Sequence, residues 1–304
     1  MQKVRRKREI EGVTIPGIVK NGSYFYNQMA IYEDGMITCW KLVDLDGFQE
    51  ALNSSWVVTS IPIGESISLG FGSFKVLAAS WTFDKDSYLL HLKSILKKIN
   101  PNLSNVYKKT KEEKELWEKR RVTFYPSDEN FYVQKENFYQ TAKGSGIKLF
   151  YKYKNENHLV ELVVFEDGKI TCFNDSFEID YNIEDIDQYF KNGTFFTKCE
   201  EKTKIKINGL GELTVIEDYE TDEILDKLTQ LKENYKELLG KETIADKCVK
   251  AYHYYLEYPC DSSKERLKEL YEQVPEHERM FLGDMDSKDH DYRRILYTDK
   301  KREV

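Results

Sequence analysis

The sequence has few cysteines and no long hydrophobic run, and each shortage excludes a class of protein. Its five cysteines form no CxxC pair; they are Cys39, Cys172, Cys199, Cys248 and Cys260. Zinc sites need closely spaced thiolate pairs, so zinc is not expected, and the odd number suits free thiols in a reducing compartment. No stretch approaches the roughly 20 apolar residues that span a membrane, and no apolar run follows the basic start. We therefore expect a cytoplasmic protein without a membrane segment or secretory signal.

The charge balance is acidic, which disfavours another class of function. Lys and Arg number 46 against 53 Asp and Glu, so the formal net charge is −7. Binding to phosphate backbones requires clustered positive charge, and general nucleic-acid binding is therefore not expected. Residues 3–8 are basic, and we interpret them as a solvated arm, with a nucleic-acid or membrane contact as the less favoured alternative.

No catalytic signature is present. The glycine-rich turn at 143–146 lacks the Gly-Lys-Ser/Thr of a phosphate-binding loop, and the five histidines are scattered. We therefore predict no cofactor and no catalytic residues. One acidic segment, with His277 nearby, is a weak metal-site candidate that would support a metal-dependent hydrolase as the alternative function. Its candidate ligands are Asp284, Asp286, Asp289, His290 and Asp291.

One stretch of the chain occurs twice. Residues 32–40 read YEDGMITCW, and residues 165–173 read FEDGKITCF. Asp-Gly can take positive φ at both central positions of a two-residue turn, so each stretch predicts a β-hairpin. In that register Phe165 lies opposite Ile170, on the same face as Val163 and Cys172. Tyr32 would face Ile37 in the same way.

The similarity continues beyond the hairpins. Each is followed by a short helical segment, a strand and a Gly-x-Gly strand pair. A repeat of this length is a duplicated domain rather than a solenoid unit. We predict an α+β fold with two tandem copies of a small, mostly antiparallel β domain joined by helices, plus a helical C-terminal domain. The predicted boundaries are 1–84, 85–121 for the helical connector, 122–219 for the divergent second copy, and 220–304.

Apolar faces on the predicted helices are candidate interaction surfaces. After Thr221, apolar residues recur at alternating spacings of four and three, a seam that suits a helix of the same chain or of a second protomer. Buried between protomers, such faces would make a homo-oligomer, whereas the two copies could also cover each other. The candidate interaction residues are Ile224, Leu228, Leu231, Tyr235, Leu238 and, in the connector, Trp117.

Parts of the chain resemble a known family. The Glu-Asp-Gly-x-Ile-x-Cys-Trp hairpin, the Trp-Val-Val-Thr-Ser-Ile-Pro run at 56–62 and the tail at 274–289 are similar to an uncharacterised bacterial or phage domain family with a repeated hairpin of this kind. The resemblance covers the first copy and the tail, because the second copy lacks the 56–62 run. It implies no activity, and no functional residues follow from it.

These observations favour a non-enzymatic protein-interaction module of the bacterial or phage cytosol. Toxin-immunity proteins and phage-encoded inhibitors of host defence complexes are of this kind, since they need a rigid scaffold and a complementary surface. The net charge of −7 suits a basic protein partner, and the 21 tyrosines suit aromatic anchors at an interface. No membrane partner is expected.

Overall fold

In the computed structural model, which describes residues 10–120, 143–174, 176–282 and 290–297, the first repeat consists of seven strands and two helices. Its elements are β1 Gly12–Asn21, β2 Ser23–Tyr32, β3 Ile37–Thr38, β4 Leu42–Val43, α1 Leu45–Asn53, β5 Val57–Val58, β6 Ser66–Ser68, β7 Ser73–Trp81 and α2 Lys85–Ile99. Asp84 caps α2 by accepting a hydrogen bond from the Ser87 N–H at 2.8 Å, which starts this helix directly after the last strand. Helix α3, Lys111–Arg120, follows in the connector.

The second repeat has the same elements in the same order. They are β8 Gly144–Tyr153, β9 Glu156–Phe165, β10 Lys169–Asn174, β11 Phe177–Asn182, α4 Ile186–Lys191, β12 Phe195–Phe196, β13 Thr203–Ile207, β14 Gly211–Tyr219 and α5 Ile224–Leu238. Strand pairing agrees as well: the first strand pairs with the second and fifth, and the third with the second and fourth. The second strand runs parallel to the sixth in each repeat. The mixed, mostly antiparallel fold is confirmed, and the shared pairing fits a tandem duplication.

Both predicted hairpins form, but their predicted register is wrong by one residue. Ile170 pairs with Val164 rather than with Phe165, and the first hairpin is shifted in the same way. The cause is that only the glycine of each turn has a positive φ, +81° at Gly35 and +83° at Gly168. The connection therefore has three residues and ends on a left-handed glycine, the hairpin type next in frequency to the two-residue turn.

The shifted register also changes which side chains form the core, since one residue of slip exchanges the two faces of a strand. Val163, predicted to share the face of Cys172, lies on the other face and is only half-buried. The buried face carries Leu162, Val164, Ile170 and Cys172 in the second repeat and the equivalent Met29, Ile31, Ile37 and Cys39 in the first. Each repeat therefore has its own apolar core with the same framework.

The chain divides into two compact units whose limits differ from those of the repeats. One unit contains the described part of the first repeat with Lys154–Leu159 and Cys199–Thr221. The β13–β14 hairpin belongs to this unit because β14 pairs antiparallel with β7, with Val215 opposite Val76. The other unit contains the described parts of Thr141–Tyr153, Val160–Lys198 and Asp222–Val304.

The C-terminal region is helical, as predicted. Its helices are α6 Ile244–Glu257, α7 Asp261–Gln273, α8 Glu276–Arg279 and α9 His290–Tyr297. They pack around buried Leu267, Tyr271 and Tyr292. The Thr243 hydroxyl caps α6 by accepting a hydrogen bond from the Asp246 N–H at 3.1 Å, and α7 begins after Cys260, whose N–H donates to the Ser263 hydroxyl at 3.1 Å. Among helices in the described residues, none has the length and apolarity needed to cross a membrane.

The cysteines differ sharply in accessibility, which gives a first prediction. Cys39, Cys172, Cys199 and Cys248 are buried, and burial raises the pKa of each thiol, to about 12 for Cys172. Cys260 is exposed, and its hydrogen bond with Ser263 lowers its thiol pKa. The thiolate is the nucleophile, so native protein treated with iodoacetamide should take one label, at Cys260. Intact-mass spectrometry checks this: denatured protein should take five labels and native Cys260→Ser none, whereas rapid native labelling of Cys39 would contradict the burial.

Candidate binding site

A cavity of about 450 Å³ lies in the first repeat, at the β3–β4 hairpin, helix α1 and the connector. Sites for small ligands have volumes of about 300–1,000 Å³ and combine apolar walls with a few polar groups. This cavity has both kinds of lining. The residues that line it are Cys39, Lys41, Leu42, Val43, Asp44, Gly47, Glu50, Ala51, Ser54, Trp56, Lys109 and Lys114.

A buried carboxylate holds the wall of the cavity in place. The Asp44 side chain, in a residue only 1% exposed, accepts a hydrogen bond from the Gly47 N–H at Oδ1 and one from the Lys109 N–H at Oδ2, both at 2.8 Å. The first bond caps α1, and the second fixes the connector backbone against that helix. Lys109 Nζ also donates to the Leu42 carbonyl at 3.3 Å. Asp44 thus joins three elements around the cavity.

The charges that line the cavity are mainly positive, in contrast to the acidic chain as a whole. Lys41 Nζ lies 5.1 Å from the centre of the Trp56 ring, a cation–π distance. Lys114 Nζ is 3.9 Å from the Glu50 carboxylate. Three lysines line the cavity against two carboxylates, and one of these, Asp44, is committed to backbone hydrogen bonds. The cavity is therefore better suited to an anionic group than to a cationic one.

An exposed aromatic cluster continues the cavity wall. Trp40 is the apex of the β3–β4 hairpin, which is closed around it by a bond from the Cys39 N–H to the Lys41 carbonyl at 2.9 Å. The ring centroid of Trp40 lies 5.0 Å from that of Phe25 and 6.0 Å from that of Trp56, yet the residue is 45% exposed. Its φ of +64° is costly for a residue with a side chain, by about 1–2 kcal/mol. The hairpin therefore holds an exposed ring in a strained position.

The second repeat lacks this cluster. Its residues at the positions of Phe25, Trp40 and Trp56 are His158, Phe173 and Thr194. His158 is buried, and burial lowers the pKa of its imidazole. The aromatic cluster is a property of the first repeat alone, although the framework around it is shared. Sequence reasoning missed it, because Trp40 and Trp56 are brought together by the hairpin and α1 rather than by any local motif.

The structure places the predicted α5 seam in the core of the second repeat. Leu228 and Leu231 are buried among its strand residues, with Ile224, Tyr235 and Leu238 packed against them. In this position the seam is covered by its own repeat, with strand β8 and the short helix α4 as neighbours, which is the intramolecular alternative. Trp117 lies in α3, and its side chain is outside the described residues.

Most of the predicted metal ligands fall outside the part of the chain that the structure describes. These are Asp284, Asp286, Asp289 and the side chain of His290, and the side chain of the nearby His277 also lies outside the described residues. Asp291 lies in α9, where its Oδ2 accepts a hydrogen bond from the Tyr252 hydroxyl at 3.2 Å. Within residues 10–120, 143–174, 176–282 and 290–297, no group of three or more His, Cys, Asp or Glu side chains is placed to hold a metal ion.

Comparison with protein-family models gives two matches. The model described as "Domain of unknown function (DUF7638)" matches residues 1–103 and 132–242, and each segment contains one repeat with its closing helix, α2 or α5. The model described as "Domain of unknown function (DUF7639)" matches residues 243–303, the C-terminal helices. No curated protein and no solved structure matches the chain.

Proposed function

The chain belongs to the DUF7638 family, and we propose that it is a non-enzymatic protein-interaction module whose contact surface is the aromatic cluster and cavity of the first repeat. The observation that carries the proposal is Trp40. Its ring is exposed, it is supported on two sides by Phe25 and Trp56, and its backbone is held in the left-handed region.

Tryptophan is the residue type most enriched among energetic hot spots of protein interfaces, especially beside a pocket. A ring fixed before binding loses little side-chain entropy when a partner covers it. A glycine at this position would relieve the strain at Trp40, and strained residues of this kind cluster at functional sites. The second repeat has the smaller Phe173 at the position of Trp40, so the two repeats can be compared within one chain.

Within this class, the proposal favours a protein that acts by covering a partner, as toxin-immunity proteins and phage-encoded inhibitors of host defence complexes do. The overall charge of −7 would accelerate encounter with a basic partner, and the rigid hairpin would then provide the anchor. Localisation in a bacterial or phage-infected cytosol and self-association remain predictions of the same proposal.

Trp40→Ala tests the proposal. Loss of a hot-spot ring costs about 2 kcal/mol or more, so we expect affinity for the protein partner to fall by at least about tenfold. The immobilised full-length chain is incubated with extract of its native host, and captured proteins are quantified by mass spectrometry and then reconstituted from purified components. Wild type should retain a stoichiometric protein that Trp40→Ala loses.

Phe173→Ala is the matched control, because it removes the ring at the equivalent position of the other repeat, where exposure is 36%. It should leave capture unchanged. Capture that survives Trp40→Ala, or that is lost equally in both variants, would exclude the first-repeat cluster as the contact surface.

A further inference from the structure

We propose that the first-repeat cavity is a socket for an aromatic side chain of the partner protein, presented beside an acidic group. This inference rests on the proposed function, because it specifies what the partner inserts next to Trp40. It follows from a comparison of the two repeats. The second repeat has its own aromatic rings at the place where the first repeat has the cavity.

Strand pairing within each repeat shows which residues of the two repeats are equivalent. Val43 pairs with Ile37 in the first repeat, and Tyr181 pairs with Ile170 in the second. Since Ile37 and Ile170 are equivalent hairpin residues, Val43 and Tyr181 occupy the same position. Val43 lines the cavity.

A second cavity residue is located by the short helices. Leu52 of α1 and Phe190 of α4 are both buried in the core of their repeat, each shortly before the fifth strand. The residue before Leu52 is Ala51, which lines the cavity, and the residue before Phe190 is Tyr189. Alanine thus stands where the second repeat has a tyrosine.

In the second repeat these two tyrosines pack against each other. The ring centroids of Tyr181 and Tyr189 are 4.7 Å apart with an interplanar angle of 66°, an edge-to-face arrangement. Tyr181 also lies 5.6 Å from Phe195, and its hydroxyl donates to the Tyr151 hydroxyl at 3.0 Å. The shared framework therefore accommodates aromatic rings at this place, where the first repeat has Val43 and Ala51.

The charges specify the group that accompanies the ring. Lys41, Lys109 and Lys114 line the cavity, whereas Asp44 is committed to the α1 cap and the connector. A carboxylate next to the ring would meet net positive charge there. The expected ligand is therefore a tyrosine or similar ring adjacent to an acidic residue or to the carboxyl terminus of the partner chain.

N-acetyl-tyrosine, N-acetyl-tyrosinamide and N-acetyl-leucine are probes that separate the ring from the charge. The Trp56 indole N–H, which lies 3.5 Å from the Cys39 carbonyl at the cavity, is the reporter in ¹H–¹⁵N spectra of the full-length chain. N-acetyl-tyrosine should bind with a dissociation constant of about 1 mM, the amide several-fold more weakly, and N-acetyl-leucine at least about tenfold more weakly. Equal shifts with tyrosine and leucine, or none with tyrosine, would overturn the socket.

Exchanging residues between the repeats tests the assignment of the site. Ala51→Tyr places the ring of the second repeat into the first and should abolish the response of Trp56 to N-acetyl-tyrosine. Tyr189→Ala removes a ring from the second repeat. Addition of N-acetyl-tyrosine to this variant should then shift amide signals of the second repeat, including that of Phe195. If Ala51→Tyr does not fold, Tyr189→Ala alone tests the inference, because removal of the Tyr189 ring should create a socket in the second repeat. Retained binding in folded Ala51→Tyr, or no new shifts in Tyr189→Ala, would contradict the inference.

The inference and the proposed function fail in different ways. If protein capture depends on Trp40 but no probe enters the cavity, the contact surface stands and the socket is wrong. If the probes bind as expected and no protein is captured, the cavity is a small-molecule site, and the interaction module is wrong.

Discussion

Replacing Leu231 with alanine is expected to lower the free energy of unfolding by about 2–5 kcal/mol. Leu231 is 0% exposed in the core of the second repeat, where α5 packs on the strands, so truncation removes buried apolar surface and leaves a void. Urea unfolding should show a lower midpoint with an unchanged slope. The same result distinguishes core from protomer interface, because a loss of intramolecular packing shifts the midpoint equally at every protein concentration.

Leu225→Ala is the control on the same helix. Leu225 is 56% exposed, so its truncation should change stability by no more than about 0.5 kcal/mol. If instead the wild-type midpoint rises with protein concentration and Leu231→Ala removes that dependence, the seam is a contact between protomers and its placement in the core is wrong.

Gly211→Ala is expected to cost about 2–5 kcal/mol. Gly211 has a φ of +149° and pairs with Trp81 across the β14–β7 ladder. A Cβ at this position would lie 2.2 Å from the Ser80 carbonyl oxygen, a backbone atom that cannot move without opening the ladder. Backbone strain contributes about 1–3 kcal/mol and steric overpacking a similar amount.

Gly22→Ala isolates the steric part of that cost. Gly22 also has a positive φ, +74°, but a Cβ there would meet nothing within 4 Å. It should therefore lose only the about 1–2 kcal/mol of a left-handed residue. Equal midpoints for the two variants in urea unfolding would mean that the β14–β7 ladder tolerates the added methyl group.

The duplication could be predicted from the sequence because the turn of each repeated hairpin ends on a residue with positive φ, which favours glycine. Gly35 and Gly168 keep the two hairpins recognisable although Trp40 and Phe173 differ. The register could not be predicted in the same way, since Asp-Gly is compatible with a two-residue and a three-residue turn. Tertiary packing of Val164 and Ile170 on one face decides between them.

The cavity could not have been predicted, because it results from a difference between the repeats. Val43 corresponds to Tyr181 only when the strand pairing is known, since the β10–β11 ladder extends to Phe177 while the β3–β4 ladder ends at Leu42. The α5 seam shows the converse limit. Its spacing identified an apolar face but contained no information on whether strands or a second protomer would cover it.

The β7–β14 ladder gives the duplication a further meaning. Phe74 of β7 pairs with Ile67, and Leu213 of β14 pairs with Ile205. Val76 and Val215 each lie two residues after these partners, so they are equivalent positions, and they pair with each other. Antiparallel pairing of a strand with its own counterpart is an isologous contact, the kind that joins the subunits of a twofold-symmetric dimer. A single repeat would leave this edge open to another copy of itself. The fused chain thus forms within itself a contact that separate copies would have to form by association, while its two halves differ elsewhere, with Tyr181 and Tyr189 in one and Val43 and Ala51 in the other.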